Sequence, residues 1–427
     1  MSSFVRELRR LQSSSLARNA GWMFAGQGAA VCLQALYFVV LARLLGATQY
    51  GVFAGAFAFT GLLAQYSSLG SGTVLLRYVT KDKTAFALFW GNVLFSTFAV
   101  SGILIAAFRI LAPRILNASS ASLVVLAATS NCLFAPLTEQ TARVFQSFDK
   151  MRITAILNLL TNLARTLAAV GMLWRMRHAT AWQWAAISTV VSGMAAAVAV
   201  AMVIRSFGMP RFNLRLFLRH GPEGFGYSFA SSTMSVYNDV DKTMLSHFGM
   251  NSANGIYSMA YRVIDIATIP VYSIREAALP RLFRHGQTGI ADARTLSLRL
   301  LKRAFPFSVF IALGMFLAAP LIPKVLGTGF AECVSALRWL CLIPVFRCLH
   351  IMTGSVLTGA GLQSYRTAAQ LTVAFLNVGL NLWAIPRFGW LGAAWASLIS
   401  DGALCVLTWS VLQVVASKTR SRQGELV

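Results

Sequence analysis

The chain has 427 residues, of which 57% are hydrophobic and only 12% charged, with 37 Lys and Arg against 13 Asp and Glu. A soluble protein of this composition would precipitate, whereas a bilayer protein normally looks like this and keeps its cations mainly on one side. The composition therefore argues against a soluble protein and makes the position of each charge the main question.

Twelve stretches are long and apolar enough to cross a membrane, which takes about 20 predominantly apolar residues per helix. In chain order they cover residues 20 to 42, 50 to 76, 84 to 108, 121 to 142, 153 to 174, 181 to 204, 224 to 247, 253 to 279, 304 to 322, 333 to 358, 366 to 385 and 390 to 415. The first is too long for a cleaved signal peptide, and Arg43 follows it without a small-residue cleavage pattern. We expect an all-α integral membrane protein of about 12 transmembrane helices.

Basic residues between these spans alternate strongly from one side to the other. Counted from the N-terminus, alternate segments hold 24 Lys and Arg, the intervening loops hold 7, and the spans hold 6. By the positive-inside rule, both termini are predicted to be cytoplasmic. Trp174, Trp182 and Trp184 bracket one outer loop, as interfacial aromatic residues do. The basic rim suits anionic membrane lipids, and its dispersal over short loops argues against nucleic-acid binding.

The two halves of the chain share similar phrases. LLGATQYGVF at 44 to 53 resembles HFGMNSANGIY at 247 to 257, and the Trp-rich start of span 6 resembles that of span 12 at a nearly equal offset. Two matches in register indicate a parallel six-plus-six duplication, which would place a substrate path between two lobes. We therefore predict an N-terminal lobe over 1–204, a cytoplasmic basic linker over 205–223 and a C-terminal lobe over 224–427.

The spans also contain charges that would cost about 2.5 to 3.5 kcal/mol each if they faced lipid. The cations are Arg165, Lys242, Arg262, Arg275, Arg338 and Arg347, and the acids are Glu139, Asp239, Asp241, Asp265, Glu276 and Asp401. They must face one another or water. Helical spacing lets Glu139 pair with Arg143 and Arg262 pair with Asp265, whereas the adjacent Asp241 and Lys242 need other partners. For each pair, a purely structural ion pair remains an alternative to a functional role.

Polar residues share helix faces with these charges, which predicts a hydrated cavity. Arg grips phosphate or carboxylate in a bidentate fashion, and amides match sugar hydroxyls, so the pattern favours an anionic glycan attached to a lipid. The predicted substrate-binding residues are Arg165, Lys242, Arg262, Arg347, Asn158, Asn162, Asn238 and Asn377. The candidates for coupling or ion pairing are Asp241, Asp265, Glu276, Asp401, Arg275 and Arg43. Arg338 is predicted to point away from the cavity. No cysteine spacing typical of a metal site is present.

Three phrases, at 42–53, 241–282 and 389–397, resemble the polysaccharide repeat-unit flippases (Wzx-like, oligosaccharide flippase family) of the MOP exporter superfamily. The resemblance implies a two-lobed, V-shaped transporter of the bacterial inner membrane. It implies that undecaprenyl-pyrophosphate-linked oligosaccharide, an exopolysaccharide or O-antigen repeat unit, moves to the outer leaflet by alternating access, with polymerase and export machinery as possible partners. Asp241 and Lys242 match an acid-plus-base pair that often opens the seventh-helix phrase, and Arg43 matches the arginine of the ARLLG phrase.

Two rival functions remain open at this stage. A MATE-type multidrug or cation antiporter shares the fold but would favour an acid-dominated cavity. A membrane glycan polymerase or ligase would use a large outer loop with catalytic Arg or His, and the outer loops here are short. The chain lacks a phosphate-binding loop for ATP, and we expect no cofactor. Coupling to protons, to sodium or to polymer synthesis stays open.

Overall fold

The computed structural model describes residues 15–176, 178–288 and 290–424. Within these ranges it describes every side chain except those of residues 15–27, 30, 234, 276–294, 296 and 416–424. In this part of the chain the regular structure is all helical. The helices are α1 Ser15–Ala64, α2 Ser71–Lys81, α3 Phe86–Ile115, α4 Ala118–Ala121, α5 Val124–Ala128, α6 Ala135–Ser147, α7 Met151–Arg175, α8 Ala181–Phe207, α9 Leu214–His247, α10 Asn251–Thr288, α11 Ile290–Ala318, α12 Ile322–Leu326, α13 Cys333–Leu340, α14 Ile343–Gly359, α15 Gln363–Phe388 and α16 Trp390–Gly424. A π-helical turn, Thr129–Phe134, joins α5 to α6.

Helices occupy all twelve predicted spans, and the all-α membrane fold class is confirmed. Within the described residues, seven helices are long and apolar enough to cross a bilayer, and the bent pair Thr328–Leu340 and Ile343–Gly359 would make an eighth. The segment containing α6, together with α9 and α10, does not meet this measure of apolarity. These elements carry Glu139, Asp241 and Asp265, and such charges lower the mean hydropathy of a helix.

Exposed apolar side chains support the membrane assignment. Phe98, Ile103, Phe310 and Phe375 are each more than half exposed. A water-soluble fold rarely presents so many large apolar groups together, whereas lipid tails solvate them. The chain is a multi-pass membrane protein.

The three tryptophans predicted to lie at the membrane interface divide into two groups. Trp174 is 95% exposed and Trp182 is 56% exposed, as interfacial residues can be. Trp184 is fully buried and its ring lies 5.8 Å from that of Tyr37. For Trp184 the prediction of an interfacial position is wrong, because the residue packs inside the helix assembly.

Two glycines turn the chain at the repeated phrases. Gly46 interrupts α1 with φ of 66°, and Gly249 lies between α9 and α10 with φ of 72°. Side chains other than glycine rarely adopt such left-handed backbone angles. The chain therefore changes direction at the corresponding glycine in both copies of the repeated phrase.

The described chain forms two compact units. Among the described residues, the amino-half unit contains 15–45 and Gly55–Ser235, and the carboxyl-half unit contains Gly46–Ala54 and 236–424. The amino-half core includes Trp90, Phe145 and Val203, and one carboxyl-half core includes Val271 and Met352.

The predicted linker, 205–223, is only partly irregular. Residues 208–213 connect α8 to α9, and α9 then begins at Leu214. Glu223 accepts hydrogen bonds from Arg77 at 2.6 Å and from the Tyr78 hydroxyl at 3.2 Å. The start of α9 is therefore held within the amino-half unit.

Candidate functional site: a cavity and a charge network

The amino-half unit contains a cavity of about 430 Å³. Its walls come from α2, the π-helical turn, α6, α7 and α8. The lining residues are Leu76, Phe134, Ala135, Thr138, Glu139, Ala142, Arg143, Gln146, Asn158, Thr161, Arg165 and Ser192. This volume falls in the range of small-molecule sites, roughly 300 to 1,000 Å³. The cavity combines an apolar side with hydroxyl, amide and guanidinium groups.

Arg165 is the cation of this cavity for which the described residues offer no acidic partner. Its Nη2 donates to the Ser192 hydroxyl at 2.8 Å, and its buried Nε has no hydrogen-bond partner among the described residues. Arg143, by contrast, donates to Glu139 at 2.6 Å and also to the Thr73 hydroxyl. The predicted pairing of Glu139 with Arg143 is confirmed. One positive charge therefore remains unopposed at the cavity wall.

The two asparagines predicted on α7 have different positions. Asn158 is exposed and lines the cavity. Asn162 is half-buried, is not among the lining residues, and donates to the Asn158 backbone carbonyl at 2.8 Å. Of these two asparagines, only Asn158 lines the cavity.

A second group of polar residues forms a charge network in the carboxyl-half unit. Lys242 donates to Asp239 at 2.8 Å, and Asp241 accepts from the Lys242 backbone N–H at 2.7 Å and from the Tyr257 hydroxyl. As helix geometry requires, the adjacent Asp241 and Lys242 side chains bind different partners. The Lys242 ammonium also donates to the Asn238 carbonyl, so Asn238 contributes its backbone here.

Tyr261 lies at the centre of this network. The Lys242 Nζ is 5.3 Å from its ring centroid and the Arg347 Cζ is 5.9 Å from it, both within the range of cation–π attraction. Arg347 donates to Asp265 at 3.0 Å. Its side chain is only 8% exposed while that of Asp265 is 45% exposed, so the arginine is the buried member of the pair.

The interaction predicted between Arg262 and Asp265 is one of several that these residues make. Charge attraction links Arg262 to Asp265, and a hydrogen bond links it to Tyr50. The geometry adds Arg347 as a partner of Asp265, which helical spacing within one span could not predict. Arg338 is exposed beside the Phe316 ring, whereas Arg347 is buried, in agreement with their expected orientations.

Asp401 is 1% exposed and lies at the other end of the network. The Tyr237 hydroxyl donates to its Oδ1 at 2.6 Å, and His350 Nε2 lies 3.5 Å from the same oxygen. Sequence analysis did not identify His350, Tyr237, Tyr257 or Tyr261 as part of a site. Their positions on spans that also carry charge were the available signal, but aromatic residues are common in apolar helices.

The remaining predicted residues lie elsewhere. Asn377 is 1% exposed, donates to the Ser400 hydroxyl at 3.0 Å and accepts from Asn381, so it joins two helices and does not present a free amide. Arg43 is exposed, and the Arg275 guanidinium lies 6.0 Å from the Tyr272 ring centroid. Glu276 lies outside the residues whose side chains are described.

Comparison with known proteins places this membrane protein in the MOP superfamily. A family model described as polysaccharide biosynthesis protein matches residues 16–285. The chain therefore belongs to this polysaccharide biosynthesis family, as its phrases predicted. Family and fold point to a transporter rather than an enzyme.

Solved MATE structures have the same fold. An inward-facing multidrug resistance MATE transporter of the MOP superfamily matches with a TM-score of 0.67 at 15% identity, covering 91% of this chain and 96% of that one. The eukaryotic MATE transporter AtDTX14 matches with a TM-score of 0.60 at 14% identity, covering 98% and 99%. An outward-facing MATE transporter gives 0.58 at 16% identity, covering 95% and 96%. No curated protein matches the chain in sequence.

Proposed function

We propose that this protein flips a lipid-linked oligosaccharide with an anionic head across the bacterial inner membrane by alternating access. The substrate class is undecaprenyl-pyrophosphate-linked exopolysaccharide or O-antigen repeat unit, which polymerase and export machinery of the same pathway would then use. Both termini would be cytoplasmic, with the basic rim against anionic lipids. The single observation that carries the proposal is the unopposed charge of Arg165 in the amino-half cavity.

The charge of the cavity favours the flippase over the antiporter. Glu139 is the acid among the lining residues, and Arg143 already neutralises it. An organic cation would meet the net positive charge of Arg165, whereas a phosphate or an acidic sugar would be attracted to it. Charge-assisted hydrogen bonds to an anion contribute about 1.5 to 3 kcal/mol each. This balance favours an anionic substrate over the drugs and cations of an antiporter.

The neutral groups around Arg165 favour a hydroxylated substrate. Asn158 and Gln146 offer amides, and Thr138 and Thr161 offer hydroxyls on the same cavity wall. Amides and hydroxyls both donate and accept, so they can replace the water that a sugar loses on entering the site. Without such partners, dragging sugar hydroxyls through hydrocarbon would cost several kcal/mol. The proposed head-group site therefore places Arg165 at the charge and the neutral groups at the sugar.

Transport of a polyprenyl-pyrophosphate oligosaccharide by purified protein in proteoliposomes tests the proposal. Arg165→Gln should reduce the flipping rate at low substrate about ten- to hundredfold, as expected for the loss of one charged contact. Arg338→Gln is the matched control, because it removes an intramembrane cation whose side chain is exposed. We expect this control to flip at the wild-type rate.

Two results would contradict the proposal. The first is an Arg165→Gln variant that flips the glycan as fast as wild type when both are reconstituted at equal density. The second is a wild-type protein that exports a fluorescent organic cation and leaves the lipid-linked glycan in place. The second result would establish the antiporter instead.

A further inference from the structure

His350 and Asp401 form an enclosed pair of a base and an acid in the carboxyl-half unit. Asp401 is 1% exposed, and its Oδ1 receives the Tyr237 hydroxyl at 2.6 Å. His350 Nε2 lies 3.5 Å from this oxygen, is itself buried and has no hydrogen bond among the described residues. A small approach of the two side chains would create a hydrogen bond for which the imidazole must carry a proton on Nε2.

The surrounding charges do not balance without such a proton. The described network contains four carboxyl groups but three permanently charged cations. The carboxyl groups are Asp239, Asp241, Asp265 and Asp401, and the cations are Lys242, Arg262 and Arg347. An uncompensated carboxylate in a low-dielectric interior costs several kcal/mol. Water can compensate Asp239 and Asp265, which are 30% and 45% exposed, whereas Asp401 is enclosed. The positive charge is therefore needed at Asp401, and His350 can supply it.

The pairing pattern places the deficit at Asp401. Lys242 binds Asp239 and adjoins Asp241, while Arg347 binds Asp265. Arg347 also attracts Asp401, but its hydrogen bond goes to Asp265. The other titratable groups facing Asp401 are Tyr237, Tyr261 and Cys405, all of which are neutral in their protonated forms. On the far side of the His350 helix, Cys348 contacts Ser308 of α11 and adds no charge. One turn further along this helix, the Arg366 side chain lies against Gly354 and donates to the Thr358 hydroxyl, so it is the cation that faces the helix from α15.

We propose that His350 and Asp401 together hold one exchangeable proton, which makes this pair a proton-binding site within the carboxyl-half unit. The proton comes from water and binds the imidazole, giving an imidazolium beside the Asp401 carboxylate. Its release returns it to water and leaves Asp401 without a cation of its own. Because that state is costly in a buried position, proton release and rearrangement of this site are linked. The inference is independent of which substrate the cavity carries.

Nitrogen NMR of ¹⁵N-histidine-labelled full-length protein in lipid nanodiscs, without substrate, tests the site. The His350 signals are identified by their loss in His350→Asn. At neutral pH, wild type should show His350 as an imidazolium, and Asp401→Asn should convert it to the neutral ring. The exposed His247 is the matched control, and its signals should be the same with and without the Asp401 substitution.

Infrared spectroscopy provides a second readout that does not depend on how well Asp401→Asn folds. In His350→Asn the proton has the Asp401 carboxylate as its remaining acceptor, so a carboxylic acid carbonyl band should appear that is absent from wild type. The proposal is overturned if wild-type His350 is neutral and no protonated carboxyl band appears in either protein. Because neither measurement involves transport, a failure here leaves the flippase proposal to its own test.

Discussion

Gly51 and Gly255 lie against each other at a close approach of two helical segments in the carboxyl-half unit. A Cβ on Gly51 would overlap the backbone of Asn251, and a Cβ on Gly255 would overlap the backbone of Ala47. The Asn254 side chain donates to the Gly51 carbonyl at 3.0 Å across the same contact. The two glycines belong to the matching phrases of the sequence, so the repeated phrases pack directly on each other.

Adding a methyl group at this contact should destabilise the protein. The clash is with backbone atoms, which cannot swing aside as a flexible side chain would, and overpacking typically costs about 1 to 3 kcal/mol. We expect Gly51→Ala and Gly255→Ala each to lower the thermal midpoint measured in detergent. Gly379→Ala is the control, because no atom lies within 4 Å of its would-be Cβ. Equal midpoints for all three variants would show that the segments do not approach this closely.

The pair of Arg347 and Asp265 offers a second prediction. Asp265→Asn leaves a buried guanidinium without its acidic partner, which costs up to about 3 to 5 kcal/mol for a fully buried pair and less here because Asp265 is half exposed. Replacing both members, as in Asp265→Asn with Arg347→Met, should recover much of the lost stability. A double variant less stable than Asp265→Asn alone would argue against this account. The measurement is again the thermal midpoint of the purified protein.

A pH-dependent prediction concerns Glu223 at the start of α9. Burial alone would raise the pKa of this carboxyl, but the hydrogen bonds from Arg77 and Tyr78 and the Arg77 charge outweigh it and hold the pKa below its usual range. A lowered pKa in the folded state contributes stability above the unfolded value, roughly 4.3 for Glu, and this contribution is lost as the pH falls below it. The difference in midpoint between wild type and Glu223→Gln should therefore shrink as the pH falls below about 4.3 and then through the lower pKa of the folded state.

This effect should be small, because Arg77 is half exposed and solvent screens its attraction to Glu223. A double-mutant cycle with Arg77→Gln provides the control. If the Arg77 contact causes most of the effect, Glu223→Gln should change the midpoint much less in the Arg77→Gln background, where the Tyr78 hydrogen bond and the neighbouring His220 remain. A pH dependence that keeps its full size in that background would assign it to other groups.

Helical periodicity and apolar length predicted the positions of the spans because both are local properties of the chain. Their ends were less predictable. The second span was expected to reach residue 76, but α1 ends at Ala64 and α2 begins at Ser71 after a turn with a left-handed Leu69 and Gly70. The Ser- and Gly-rich run SSLGSG at 67–72 is a turn signal, but the apolar residues on both sides of it made one long span the simpler prediction.

The candidate site was only partly predictable for a different reason. Spacing along one helix correctly paired Glu139 with Arg143, which are one turn apart. It could not show that Asp265 binds Arg347, 82 positions later, or that the Asn377 amide donates to Ser400. Contacts between distant spans depend on how the helices are arranged, and a single sequence contains no direct record of that arrangement.

By itself, the sequence determined that the chain crosses a membrane, which residues form its helices, and which charges lie within them. These conclusions follow from the transfer cost of each residue, which depends on residue type and little on neighbours. Only the tertiary structure decided which charges cancel. It neutralises Arg143, Lys242 and Arg347 with nearby acids and leaves Arg165 unopposed by any described acid. It also places His350 beside Asp401, because the strength of an electrostatic contact depends on distance in space and not on separation along the chain.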